Sequence, residues 1–285
     1  MKIQLSAFAD EASADFKKQI AALQRERIPY IELRGLDGRN VADLDEKEAE
    51  KYRRMLDEGG IAVWSIGSPL GKIGIKDDFS EHLRKAENVF RLAEIFGTRR
   101  VRVFSFYTDN PERDEEEVFA RMRAMQELAE RYGVVLCHEN EKEIYGDLPA
   151  RNAKLLEKVP GLRYVFDPAN YVQCGADIEE ALALLEDKTD YYHIKDALYD
   201  TAEVVPAGEG DGRLRRVVAG IRKDTVLTLE PHLAVFEGYA QIDRTQLKNK
   251  YAYSSSEEAF SAAAAALRGI LRENSFAEEN GIWKK

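Results

Sequence analysis

Short apolar runs rich in β-branched residues alternate along the chain with longer amphipathic segments. The runs are Ile3–Phe8, Tyr30–Leu33, Ile61–Ile66, Val101–Phe104, Val134–Leu136, Tyr164–Phe166, Tyr191–Ile194 and Val226–Leu229. Their starts lie about 27 to 40 residues apart, room for a strand, a helix and two loops. Between them, Lys47–Glu58, Glu81–Phe96, Glu115–Tyr132 and Glu179–Asp187 carry apolar residues at helical spacing opposite a charged face. Gly59-Gly60, Gly97, Gly133 and Gly161 each follow such a segment and precede a strand, where a left-handed residue ends a helix. The pattern predicts an α/β fold of eight βα units closed into a (β/α)8 barrel. A doubly wound sheet uses the same alternation, but the count of eight and the absence of G-x-G-x-x-G after the first run favour the barrel.

After the eighth run, Phe236–Tyr253 is aromatic and polar without a clear period and reads as the last βα loop, placed to cover the barrel mouth or meet another subunit. Ser254–Asn274, opened by Ser-Ser-Ser-Glu-Glu, reads as the closing helix. No low-complexity linker interrupts residues 1–285, so one domain is expected. With 44% hydrophobic residues, that domain can bury a large core. Asp+Glu number 52 against Lys+Arg 42, a formal charge of -10 that repels nucleic acid and anionic lipid. Met1 to Lys18 has early acidic residues and no long apolar run, so neither a signal peptide nor a membrane span is read there, and a cytoplasmic location is expected. Cys137 and Cys174 lack metal-type spacing and read as reduced structural thiols.

In a barrel, chemistry gathers at the carboxyl ends of the strands. Four apolar runs end in polar groups: Cys137 leads into His138-Glu139-Asn140, Phe166 into Asp167-Pro168, Tyr192 into His193, and Leu229 into Glu230-Pro231. Three buried carboxylates at one mouth repel one another unless a cation lies between them. Glu139, Asp167, His193 and Glu230 therefore predict one divalent metal ion. Three oxygens and one imidazole suit Mn²⁺, the first choice here, and also Mg²⁺, Co²⁺ or Zn²⁺. Taken singly, a carboxylate at a strand end is as readily a helix N-cap or an ion-pair partner. N-capping explains neither the histidine nor four successive strands.

His138-Glu139-Asn140, Phe166-Asp167-Pro168-Ala169-Asn170, His193-Ile194-Lys195-Asp196, Pro206-Ala207-Gly208-Glu209-Gly210-Asp211 and Leu229-Glu230-Pro231-His232 resemble the motifs of the xylose isomerase-like TIM barrels. The resemblance runs from Ile31-Glu32-Leu33-Arg34-Gly35 to the eighth strand. It implies one metal on Glu139, Asp167, His193 and Glu230, with the two glutamates doubling as acid and base. The implied activity is isomerisation or epimerisation of a small sugar, sugar acid or polyol through an enediolate. The close rival is dehydration of an inositol- or sugar-acid-type substrate. An endonuclease IV-like hydrolase needs many histidines where this chain has 4, and a non-catalytic metabolite-binding barrel does not need the full ligand set. Family members that epimerise free ketohexoses carry a His three after the metal-binding Asp and an Arg six after the metal-binding His. Asn170 and Tyr199 stand at those places, which moves the expected substrate away from ketohexoses.

Side-chain alternation puts Lys195 on the side of His193 and His232 on that of Glu230, both facing substrate, with an ion pair the alternative for Lys195. Glu32 and Arg34 share a face as candidate substrate contacts or as a mutual bridge. Asn170 and Glu209 are further substrate candidates, the latter on a Gly-rich turn. Trp64 and Phe8 are candidates for an apolar wall. His138 reads as structural and His82 as solvated surface. Partners are expected to be small carbohydrates or polyols, with self-association compatible with the fold.

Overall fold

A strand with barrel interior on one side and helices on the other has no solvated face, and the apolar runs take that position. In a computed structural model that describes residues 1–234 and 253–285, the runs become β1 (Lys2–Ala7), β2 (Tyr30–Leu33), β3 (Ala62–Ile66) and β4 (Arg100–Val103). The ring continues with β5 (Val135–Glu139), β6 (Arg163–Phe166), β7 (Thr189–Ile194) and β8 (Thr225–Leu229). All eight are parallel to their neighbours, and Leu227 of β8 faces Tyr192 of β7 on one edge and Leu5 of β1 on the other, which closes the barrel.

The helices are α1 (Phe16–Arg25), α2 (Glu46–Gly59), α3 (Phe79–Ile95), α4 (Pro111–Arg131), α5 (Pro149–Lys158), α6 (Pro168–Gln173), α7 (Ile178–Leu185), α8 (Leu214–Gly220) and α9 (Ser256–Glu273). Periodicity found α2, α3, α4 and α7; of the others only α9 was expected, from its serine cap. The four glycine stops behave as predicted, with Gly60, Gly97, Gly133 and Gly161 all at positive φ. Ser255 caps α9 by accepting the Glu258 N–H. Of the aromatic segment Phe236–Tyr253, residues 236–252 lie outside the described residues. No helix among the described residues is long and apolar enough to cross a membrane. Both cysteines are free.

The chain continues past the expected closing helix into a hairpin, β9 (Ala277–Glu279) and β10 (Ile282–Lys284), joined by Asn280 at φ 53° and Gly281 at φ 76°. Positive φ at both loop positions is the type I′ geometry that Asn-Gly favours. β10 lies antiparallel on the first half of β1, with Trp283 opposite Ile3, so the hairpin sits at the amino end of the barrel. Trp283 is 2% exposed, and Trp283→Ala is expected to lower stability by about 3–5 kcal/mol in urea denaturation. The metal centre at the other end of the strands should be unaffected, and a loss below about 1 kcal/mol would show that the hairpin is not part of the folded core.

His82 corrects an expectation. It is buried rather than solvated, and its Nε2 accepts the Gly71 N–H at 2.9 Å. Gly71 has φ +88°, and a Cβ there would stand 2.0 Å from the Phe104 carbonyl, so the loop needs both the glycine and the imidazole acceptor. Burial, then Lys85 and Arg121, hold the His82 pKa down at about 4. The folded state keeps this ring neutral, while the unfolded chain binds its proton near pH 6.5. The contribution is therefore fully present above pH 6.5 and is lost as pH falls toward 4, to a limit of about 3 kcal/mol. Denaturant midpoints at pH 7 and pH 5 should converge in His82→Gln relative to the parent; an unchanged difference would show that His82 does not carry this pH dependence.

Candidate functional site

Glu139 closes β5, Asp167 follows β6, His193 is the fifth residue of β7, and Glu230 follows β8. One potential ligand atom from each lies within 4.8 Å of the others, and all four residues are buried. His193 Nδ1 is 2.9 Å from Glu139 Oε1 and 3.3 Å from Glu230 Oε2. Asp167 is both a helix cap and an ion-pair partner. Its Oδ1 caps α6 by accepting the Asn170 N–H at 2.9 Å, while Oδ2 is buried, accepts no hydrogen bond of good geometry among the described residues and lies 3.0 Å from Lys195 Nζ. A carboxylate oxygen held off the cap, beside two further carboxylates and an imidazole nitrogen, is a donor set that fits a divalent cation.

The glutamates are held from behind by two arginines. Arg102 Nη1 donates to Glu139 Oε2 at 3.1 Å, and Arg34 Nη1 donates to Glu230 Oε1 at 3.0 Å. Each glutamate thus has one oxygen on an arginine and the other toward His193 Nδ1. The far ring nitrogen of His193, Nε2, stands 3.1 Å from Glu32 Oε2, and Tyr191 Oη donates to Glu32 Oε1 at 2.8 Å. A carboxylate behind a ligating imidazole fixes its tautomer and its aim. Asn140 ties the ends of β5 and β6 together: its Nδ2 donates to the Asp167 carbonyl at 2.8 Å and its Oδ1 accepts the Asp167 N–H at 3.0 Å.

Packing so many charges together displaces their proton equilibria. For His193, burial lowers the pKa but Glu139 and Glu32 outweigh it and hold the ring protonated well above its usual range. Burial likewise works against the Lys195 ammonium, yet Asp167 and Glu230 keep it charged. Burial raises the Asp167 carboxyl to about 7 against the pull of Lys195. On Glu230 the same penalty is overcome by Lys195 and His193, and its pKa stays well below the ordinary carboxylate value.

The candidate substrate contacts divide. Lys195 joins the centre, 3.0 Å from Asp167 Oδ2 and 3.5 Å from Glu230 Oε2. His232 Nε2 lies 3.5 Å from Glu230 Oε1, and its backbone N–H donates to Glu11 Oε2 at 2.7 Å. Asn170 Nδ2 reaches Glu139 Oε1 at 3.3 Å and the Asn140 carbonyl at 2.8 Å. Arg34 grips Asp10, Glu11 and Glu230 rather than Glu32, so the bridge offered between Arg34 and Glu32 is replaced by two separate pairings. Glu32 is 0% exposed, with its carboxylate on the far ring nitrogen of His193. Phe8 packs edge-on to His193 with ring centroids 5.2 Å apart.

Trp64 does not wall the site. It packs against Tyr30, Tyr191 and Arg100, and because Tyr30 and Arg100 are the first residues of their strands, this layer is at the amino end of the barrel. Glu209 is exposed on a turn whose glycines serve another purpose. The N–H groups of Gly208, Gly210 and Gly212 donate to the Asp196 carboxylate at 2.8 to 3.1 Å, and a Cβ on Gly210 would stand 2.3 Å from Asp196 Oδ1. His138 is buried outside the site, stacked on Tyr164. Asp10, Glu11 and Arg102 were missed. Asp10-Glu11 follows the first apolar run in the same way that Glu139, Asp167 and Glu230 follow theirs, and Arg102 is a charge inside an otherwise apolar run.

Comparison with known proteins shows what the chain is similar to. Over 170 residues, 58% of the chain, it is 24% identical to a 3-dehydroshikimate dehydratase of Bacillus anthracis, and it spans about 60% of that relative's length. Its fold is similar to that of IOLI protein with a bound zinc atom, at 15% identity and a TM-score of 0.74, covering 96% of this chain and 99% of that one. It is also similar to L-ribulose 3-epimerase, at 19% identity and a TM-score of 0.69, covering 96% and 97% of the two chains. Residues 20–249 match the xylose isomerase-like TIM barrel family, and with the eight-stranded parallel ring around them the chain belongs to that family.

Proposed function

We propose that Glu139, Asp167, His193 and Glu230 hold one divalent metal ion, Mn²⁺ as first choice, and that the chain is an enzyme moving a proton beside a carbonyl in a small oxygenated substrate. The observation that carries this reading is the paired arrangement of Glu139 and Glu230, each with one oxygen on a buried arginine and one at His193. The bound ion would polarise the carbonyl and a neighbouring hydroxyl and so acidify the adjacent C–H. Glu139 and Glu230, on strands three apart in the ring, act as base and acid on opposite faces of that carbon, which inverts it. A single glutamate moving the proton between adjacent carbons gives isomerisation. Lys195, held protonated beside Asp167 and Glu230, donates to a substrate oxygen.

Isomerase or epimerase of a sugar, sugar acid or polyol is the leading reading. Dehydration is the second, favoured by the dehydratase relative, and it uses the same proton removal with a hydroxyl leaving from the next carbon. Tyr199 supports a substrate other than a free ketohexose, since its hydroxyl donates to the Ala176 carbonyl at 2.7 Å and its side chain is 45% exposed. A multi-zinc hydrolase is disfavoured, because His82 and His138 are buried elsewhere and only His193 and His232 stand at the mouth. The reading is tested by metal-dependent exchange of substrate C–H for deuterium in D₂O across open-chain sugars, sugar acids and keto-inositols. Exchange that needs the metal supports it; a metal-loaded protein that exchanges none of them would point to a binding barrel.

A further inference from the structure

The last paired residues of β5 and β6 are Glu139 and Val165. Beyond them the ladder between these strands stops, and the Asn140 side-chain amide takes its place on the Asp167 backbone, giving one bond to the carbonyl and accepting one from the N–H. The two ends of an amide are unlike. Turned over, it would set N–H against N–H and oxygen against oxygen, so the pairing depends on which way the amide faces.

A chain of buried side chains behind Asn140 fixes that. Tyr164 Oη, on β6, donates to Asn140 Oδ1 at 2.9 Å, and Tyr171 Oη, on α6, lies 2.5 Å from Tyr164 Oη. Asn152 Nδ2, on α5, donates to Tyr171 Oη at 2.9 Å and to the Gly146 carbonyl at 2.9 Å. All four side chains belong to residues that are 0% exposed, and burial pushes both phenols up, so each keeps its single proton. Counting protons gives the chain one direction. Asn152 Nδ2 can only donate, so Tyr171 accepts from it and gives its own proton to Tyr164, which gives its proton to Asn140 Oδ1. Bonds ordered head to tail in this way polarise and strengthen one another. The direction holds the amide oxygen toward the Asp167 N–H and the amide NH₂ toward the Asp167 carbonyl. With the backbone held there and Oδ1 committed to the α6 cap, Oδ2 is left directed at the centre beside Lys195.

Building on the metal-dependent reading above, we propose that Tyr164, Tyr171 and Asn152 are positioning residues of the metal centre. Their directed chain acts through Asn140 on the backbone of Asp167 and so sets the aim of its ligand oxygen.

The test removes one hydroxyl at a time from the full chain, in Tyr164→Phe and Tyr171→Phe, with Mn²⁺ as the probe. Mn²⁺ affinity by calorimetry, the electron paramagnetic resonance spectrum of the bound ion and metal-free melting are compared with those of the parent. Tyr164→Phe is expected to weaken Mn²⁺ binding about tenfold, the low end of what losing a group behind a ligand costs, and to alter the spectrum. Tyr171→Phe should move both in the same direction by less. Trp283→Ala, which lowers stability far from the chain, should move neither. In an Asp167→Asn background, Tyr164→Phe should cost little further affinity, because the oxygen it aims is no longer an anionic ligand. Variants that only melt earlier, with parental Mn²⁺ affinity and spectrum, would overturn the proposal and make the hydroxyls core packing. Tyr171→Phe alone decides this point if Tyr164→Phe does not fold. Full additivity of Tyr164→Phe with Asp167→Asn would also overturn it. Failure of the parent protein to bind Mn²⁺ would instead remove the metal reading itself.

Discussion

Glu139→Gln and Glu230→Gln are each expected to slow metal-dependent solvent exchange by about 10²- to 10⁴-fold, the usual contribution of a positioned acid or base. The argument follows from where the oxygens point. Arg102 holds Glu139 Oε2 and Arg34 holds Glu230 Oε1, which leaves the partner oxygens beside His193 as the atoms able to accept a proton. An amide keeps nearly the same shape but has a single acceptor oxygen, which the arginine claims. The NH₂ group then faces the centre, where it can neither take a proton nor bind a cation. Some metal affinity must therefore be lost as well, and exchange is compared at saturating Mn²⁺. Full exchange in either variant at saturation would refute that residue as acid or base, and full exchange in both would move the chemistry to other groups.

The second large effect concerns Asp167, whose two oxygens have separable tasks. Asp167→Asn retains an oxygen to cap α6 through the Asn170 N–H and removes the charge from the atom beside Lys195. Because burial already raises the Asp167 carboxyl to about 7, the metal-free variant should be at least as stable as the parent at neutral pH. Its Mn²⁺ affinity should fall by about a hundredfold or more, since losing even a group behind a ligand costs roughly 10- to 100-fold. Glu32→Gln, one step behind His193, should fall within that smaller range. Thermal melting with and without Mn²⁺ reads both quantities: excess metal at 100 times its dissociation constant stabilises the parent by about 2.7 kcal/mol, and this increment should disappear in Asp167→Asn. A variant that melts early without metal but keeps the full increment would make Asp167 a cap and not a ligand.

The ring of strands and the four converging residues were legible because both depend on local order, an apolar run followed by a polar residue at a known place in a repeating unit. What lay out of reach depended on contacts across the barrel. Glu32 and Arg34 share a face in sequence, yet they part because Arg34 finds Asp10, Glu11 and Glu230, and Glu32 finds His193 and Tyr191. Trp64 belongs to the layer near the amino end because β3 begins only two residues before it, and strand position sets height in the barrel. His82 sits among charged residues but faces inward to meet one loop N–H, a demand set by Gly71. The hairpin was readable in principle: Asn280-Gly281 between Phe276 and Ile282-Trp283 is a turn signal with a mechanism.

The central claim is that His193 Nδ1, Glu139, Asp167 and Glu230 share one cation. Anomalous diffraction at the manganese edge from crystals grown with Mn²⁺ tests it directly. One strong peak is predicted, within bonding distance of all four residues and on the Nδ1 side of His193, with Nε2 still on Glu32. A peak centred instead on Glu11, Glu230 and His232, or no peak at saturating Mn²⁺, would contradict the account.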